Sequence, residues 1–264
     1  MEQTQHNKTE LLFLGTGAAD WLEPKPSGKF RGYSSLLVDR HILIDCTHTA
    51  ISKMEELGIG LDEVSDVLIT HSHGDHFDKE AILKLADVRK QASKSPLILH
   101  AEKSWISSIS SDNLAVNPLE VWNTVKIAGY TVLPLPANHS GDYEYETGIH
   151  YLFQNERVGW LYATDGGWML ARTWHVLKQY ELDCWVVDCT IGDGYEGDDR
   201  IFDHNSLPMI RIMAETMFKQ GVLKKNANIV LTHLAKTLHP DHEELVKTVT
   251  SPFIVAYDGL VHIL

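Results

Sequence analysis

The sequence predicts an α/β fold built from two layered sheets with helices outside. Three observations lead there. Short apolar runs rich in β-branched and aromatic residues alternate with amphipathic stretches along the whole chain. Ligand-type polar residues stand just after several of those runs, where α/β architectures put their functional groups. No low-complexity linker or short repeat divides the 264 residues, so residues 1–9 read as a polar tail and residues 10–264 as one domain.

The elements follow in order. "LLFLG" (11–15) is a buried strand. "SSLLVD" and "HILIDC" read as a hairpin turning at Arg40 and His41. Ile51, Met54 and Leu57 form a helical stripe that Gly58 stops. "DVLIT" (66–70) is a strand, and Asp78 caps a helix with Ile82, Leu85 and Ala86 on one face. "PLILH" predicts a strand and "AEKSWISSIS" a helix. Strands are expected at 129–136, 147–154 and 158–163, then a helix at 167–180 and the strand "CWVVDC". Pro208 opens a helix that Gly221 closes, with Ile210, Met213 and Met217 inward. "ANIVLT" is a strand, "PDHEELVKTV" a helix, and "FIVAYDGLVHIL" a terminal hairpin.

Composition narrows the function. The net charge of −13 opposes a duplex-binding face, which needs clustered Lys and Arg. The three cysteines are too scattered for a disulfide framework and suit a reducing compartment. The polar start carries no secretory pattern, and no stretch approaches a membrane span of about 20 apolar residues. These features together predict a cytoplasmic protein. "GTGAAD" after the first strand lacks the third glycine of a dinucleotide fingerprint, and the prolines of "WLEPKPSG" prevent a following helix.

The chemistry concentrates in "THSHGDH" (70–76). Alternate residues of an extended segment point the same way, so His71 and His73 can reach one ion. Asp75 and His76, at the start of the next helix, can face a second. Four such groups in six positions repel one another or stay unpaired without a cation. His139, Asp165 and His233 each stand one step beyond an apolar run, in matching contexts.

These residues resemble the H-x-H-x-D-H signature and the later ligand positions of the metallo-β-lactamase superfamily. The resemblance implies a four-layer αββα sandwich of two mixed sheets with a dinuclear site at the sheet edge. His71, His73 and His139 would hold one metal, Asp75, His76 and His233 the other, and Asp165 would bridge them. Asp45 matches an aspartate that supports the ligand loop; it is equally placed to cap the helix after Thr47. "LPLPANHS", "GWLYATDGG", "CWVVDC" and "IVLTHL" are most similar to phosphodiesterases that open phosphoribosyl cyclic phosphates, relatives of ribonuclease Z. That similarity implies His204 as a catalytic histidine at the phosphate, just before the Pro208 helix, with Asp75 a metal ligand that also orients the nucleophile. The expected cofactors are two divalent ions, Zn²⁺ or Mn²⁺ with Fe an alternative. The expected reaction is attack of a metal-bridging hydroxide on a small cyclic or nucleotide-like phosphodiester.

Other enzyme readings are RNA 3′-end processing and lactone or thioester hydrolysis. RNA processing wants a basic arm that is not seen, and nucleic acid is therefore the less favoured partner. A non-catalytic metal module is the reading from another class, and a redox di-iron module is disfavoured because position 73 is histidine rather than glutamate. The sequence sets no oligomeric state; a homodimer is the commonest assembly. Trp21, Tyr33, Tyr143, Tyr145 and Trp168 lie on loops near the motifs as candidate stacking residues, with Lys29 and Arg31 as candidate phosphate partners. The acidic stretch "IGDGYEGDD" reads as an exposed loop, with a lid as the alternative. No cysteine follows the glycine turn, so the extra structural zinc site of some relatives is not expected.

Overall fold

The computed structural model describes residues 8–107 and 109–264; the first seven residues of the expected polar tail lie outside them. Chain order begins β1 (Glu10–Gly15), β2 (Ser35–Val38), β3 (Ile42–Ile44), α1 (His48–Glu56), β4 (Asp66–Leu68), α2 (Lys79–Gln91) and β5 (Leu97–Glu102). It continues with α3 (Lys103–Ile106), β6 (Leu114–Leu119), β7 (Val125–Ile127), β8 (Tyr130–Pro136), β9 (Ile149–Gln154), β10 (Gly159–Ala163) and α4 (Ala171–Leu177). It closes with β11 (Leu182–Asp188), α5 (Leu207–Lys219), β12 (Leu223–Thr232), α6 (His242–Thr248), β13 (Phe253–Val255) and β14 (Val261–Ile263).

Two seven-stranded mixed sheets result, ordered β14-β1-β2-β3-β4-β5-β6 and β13-β12-β11-β10-β9-β8-β7. The alternation of side chains explains the layering. Leu11 and Phe13, or Trp160 and Tyr162, face the opposite sheet in a shared inner core. Leu12 and Leu14 turn outward under the first-half helices, and Leu161 and Ala163 under those of the second half. Every such strand is hydrophobic on both faces, as expected of sheets covered on both sides. The architecture is the αββα sandwich.

Several elements differ from the sequence reading. The hairpin turn is made by Asp39 and Arg40, both at positive φ, the geometry that matches strand twist. The helix expected over "AEKSWISSIS" is a single turn, and that expected over 167–180 starts at Ala171. The terminal segment is not a hairpin. β13 pairs parallel with β12 in one sheet, whereas β14 pairs antiparallel with β1 in the other. The intervening "YDGL" does form a tight turn, Leu260 N–H donating to the Tyr257 carbonyl at 2.9 Å, but the strands it joins lie in different sheets, and Asp258 accepts from the Thr16 hydroxyl and the Gly32 amide beside β1 and β2.

Parallel pairing sets the position of the site. β3, β4 and β5 run parallel, as do β10, β11, β12 and β13. Their C-terminal ends open along one edge of the sandwich, where one backbone and one side-chain hydrogen bond from β9 tie the two halves. Ile149 donates to the Thr70 carbonyl at 2.8 Å and the Tyr151 hydroxyl to Ile69 at 2.5 Å. Among the described residues no helix is long and apolar enough to cross a membrane.

Candidate metal centre

Loops after β3, β4, β8, β10, β11 and β12 bring together Asp45, the 71–76 cluster, His139, Asp165, Asp188 and His233. Asp45, Asp165 and His233 leave their strands at φ of 58°, 50° and 55°. Left-handed backbone at three non-glycine residues is a local strain that persists only where surrounding bonds hold it, and such strain gathers at functional sites.

Those surrounding bonds also fix which way each imidazole faces. The Thr70 amide and hydroxyl donate to the wholly buried Asp45, at 2.8 and 2.9 Å. Asp45 also accepts from His76 Nδ1 at 2.7 Å, which leaves Nε2 turned to the centre. The Thr70 oxygen is 3.1 Å from His71 Nδ1, and the Asp203 carbonyl 3.2 Å from His139 Nδ1. Thr190 gives its hydroxyl proton to Asp188 at 2.7 Å and accepts from His233 Nδ1 at 2.8 Å. Four rings thus spend Nδ1–H outward and present Nε2 inward. Asp45 braces the 70–76 segment through Thr70 and His76 and is not a helix cap: Thr47 occupies the cap position of α1.

Two nests of acceptors follow. In one, His73 Nδ1 lies 2.9 Å from His71 Nε2 and 3.2 Å from His139 Nε2. In the other, His76 Nε2 and His233 Nε2 are 3.3 Å apart, with Asp75 Oδ2 at 3.3 and 3.5 Å from them. Asp165 stands between the nests. Its oxygens are 2.5 Å from His76 Nε2, 3.1 Å from His233 Nε2 and 3.7 Å from His71 Nε2. Both oxygens are buried, yet neither has a hydrogen-bond partner in good geometry. Buried nitrogens and carboxylate oxygens converging in this way are costly unless protons or a metal cation sit among them.

Charge points the same way. Asp45, Asp75, Asp165 and Asp188 are almost wholly out of solvent, and among the described residues none pairs with a Lys or Arg. Burial opposes ionisation of Asp165, but His233 and His76 hold its carboxyl well below the usual carboxylate range. Burial likewise opposes the charge on His76, but Asp165, Asp75 and Asp45 raise it well above 6.5. Burial, with His76 and other rings adding to it, keeps His71 well below 6.5, so it stays a neutral lone-pair donor. The donor set of nitrogen and carboxylate oxygen suits a divalent transition metal, and the groups present fit such an ion.

His204 borders the same space. Its Nδ1 donates to Asp188 Oδ2 at 2.8 Å and lies 3.2 Å from Asp165 Oδ1. Burial lowers its basicity, but Asp188 and Asp165 lift it well above 6.5. Asp188 and Thr190 were not singled out by the sequence reading. Asp188, in "CWVVDC", is the last residue of β11 at a strand exit, close to the context that drew attention to Asp165. The open cleft, of about 200 Å³, is lined by His73, Asp75, His139, Asp165, His204 and His233, together with Ala18, Ala19, Asp20, Thr190 and Arg200.

Other candidates fall elsewhere. Trp21 is buried, its indole N–H donating to Leu234. Arg31 is also buried, spent on Thr16, the Ala256 carbonyl and His242, while Lys29 pairs with Glu243. These side chains hold loops together instead of reaching a phosphate. Tyr143, Tyr145 and Trp168 are exposed, Tyr143 stacking on Trp105.

A family model described as the beta-lactamase superfamily domain matches residues 40–242. The chain belongs to the beta-lactamase superfamily. This superfamily member shares its fold with the metallo-beta-lactamase fold protein YhfI of Bacillus subtilis, at TM-score 0.73 and 15% identity over 97% of this chain and 100% of that one. A diphosphatase of the PhnP family aligns at TM-score 0.72 and 20% identity, covering 97% of each chain. The anti-Pycsar protein Apyc1 of Bacillus phage vB_BsuM-Goe3 is 37% identical over 71 residues, 26% of this chain. That match spans only 25% of the phage protein's length.

Proposed function

We propose that the chain is a metal-dependent phosphodiesterase acting on a small cyclic or nucleotide-like phosphodiester. The observation that carries this reading is Asp165: a wholly buried carboxylate with no Lys or Arg partner among the described residues, set between two nests of inward-facing nitrogens, with His204 beside it. In this reading His71, His73 and His139 hold one ion, and Asp75, His76 and His233 the other, with Asp165 shared. Zinc or manganese, with iron the alternative, suits the ligands. Two such ions, when bound, lower the pKa of a water and offset charge on the attacked phosphoryl group.

The chain's own groups do the rest. Asp75 is ionised because His76 and His233 outweigh the cost of its burial, so it can accept a hydrogen bond from a water and orient it. His204, its Nδ1–H committed to Asp188, keeps Nε2 to hold a proton for the departing oxygen. Asp188 and Thr190 position that ring.

The cleft mouth supports a small substrate over RNA. Asp20 and Asp75 line it beside a single arginine among the described residues, and a chain of net charge −13 offers little to hold a polyanion. The inner core draws on both sheets, which supports residues 10–264 as one domain, and three buried free thiols suit the cytoplasm. Hydrolysis of bis(p-nitrophenyl) phosphate by manganese- or zinc-loaded protein, beside a lactone and a precursor tRNA, tests the reading. Turnover of the diester alone is expected; turnover of the lactone or the tRNA alone would replace it.

A further inference from the structure

Among the described residues, Arg200 is the only Lys or Arg lining the metal cleft. It belongs to a single 3-10 turn, Asp199–Phe202, whose cap Asp198 accepts from the Arg200 amide. The same Asp198 grips one edge of the guanidinium, at 2.8 Å to Nε and 2.9 Å to Nη2. Nη2 also reaches the Thr237 hydroxyl at 3.3 Å. Nη1 makes no hydrogen bond among the described residues. Its nearest carboxylate, Asp20 Oδ2, is 3.6 Å away and is already occupied by the Thr237 amide and hydroxyl.

The guanidinium is therefore oriented before any ligand arrives. One edge is clamped by Asp198, the second Nη2 proton goes to Thr237, and Nη1 alone is without a hydrogen bond on the wall of the cleft. Arginine orientates anionic oxygens through this fork, and pre-ordering removes the entropic cost of fixing a long side chain. Nη1 faces Asp20 Oδ2 across an ion pair at 3.6 Å without a hydrogen bond, because that carboxylate already accepts from the Lys236 and Thr237 amides and the Thr237 hydroxyl.

We propose that Arg200 is a substrate-orienting residue of the metal cleft, its Nη1 donating to a phosphoryl oxygen of the bound ester. The inference rests on the phosphodiesterase reading for its substrate class. It also gives the acidic 191–203 segment a part in the site: that segment carries the donor, and Asp198 aims it.

Arg200→Ala and Arg200→Lys in the metal-loaded protein test it by two measurements. The first is calorimetric binding of inorganic phosphate, expected to weaken about 10-fold or more in Arg200→Ala with metal content unchanged. The second is diester kinetics, expected to show a raised KM in Arg200→Ala, partly restored by added guanidinium ion, which a strap role would not allow. Arg200→Lys should recover little, because an ammonium cannot be clamped by Asp198 and donate sideways at once. Equal phosphate affinity in wild type and Arg200→Ala would overturn the proposal, as would a wild type that binds no phosphate. Wild type that binds phosphate through Arg200 yet leaves the diester intact would instead sink the phosphodiesterase reading alone.

Discussion

Asp45→Asn isolates the contribution of a buried carboxylate that never reaches the cleft. The substitution keeps the shape and still offers Oδ1 to the Thr70 amide. It replaces Oδ2 with an NH₂ group facing His76 Nδ1, now 2.7 Å from a donor and not an acceptor. The ring can relieve the clash only by moving its proton to Nε2, which removes the lone pair turned toward Asp165 and His233. A charge-assisted hydrogen bond of this kind is worth about 1.5–3 kcal/mol. Losing such a support typically costs about 10–100-fold in metal affinity, the same range expressed as binding. Competition against a chromophoric zinc chelator should therefore show one ion bound about 10–100-fold more weakly, with the His71–His73–His139 nest less affected. Burial already pushes the Asp45 carboxyl up from its ordinary value, despite His76 and Thr70. The neutral amide should therefore leave the metal-free fold nearly as stable as before. Unchanged affinity at both positions would refute the reasoning; so would collapse of the metal-free protein.

Two further outcomes follow from the same geometry. His204→Ala should lower diester turnover about 10²–10⁴-fold while elemental analysis finds metal content unchanged; full turnover would remove His204 from the mechanism. Burial takes His239 down to about 4, against the carbonyl bond to Cys189, so it is neutral in the fold. Its folded value lies below its unfolded one, so its contribution is complete above about pH 6.5 and is lost as pH falls toward 4. Denaturant titrations of wild type and His239→Gln should converge by about 3 kcal/mol over that window; parallel pH curves would contradict it.

Much of the site was legible because its chemistry is local. Four ligand-type residues in six positions, read against strand exits, point to the centre before any coordinates are known. His139, Asp165 and His233 were found by the same context, since an apolar run ending in a polar group is visible in sequence. Asp188 shares that context but was read only as part of a strand, because nothing in its neighbours marks it as the partner of His204. Lys29 and Arg31 failed as phosphate partners for a tertiary reason: their loop folds back on the 234–243 segment, and that pairing has no local signature. β6 was missed because "LAVNPL" is a half-exposed strand at the sheet edge, interrupted by Asn117 and Pro118. The terminal strands were misassigned because "YDG" carries hairpin chemistry and does turn the chain, while the strands on either side of it pair in different sheets. Arg200 was invisible because its role depends on which of its nitrogens Asp198 leaves over.

The centre itself is tested most directly by counting ions. Protein stripped with chelator, dialysed against zinc or manganese and freed of excess metal should retain two ions per chain by elemental analysis. Asp165→Ala, which removes the shared carboxylate, should retain fewer. Wild-type protein that keeps no stoichiometric metal, or an Asp165→Ala variant that keeps the full complement, would contradict the account.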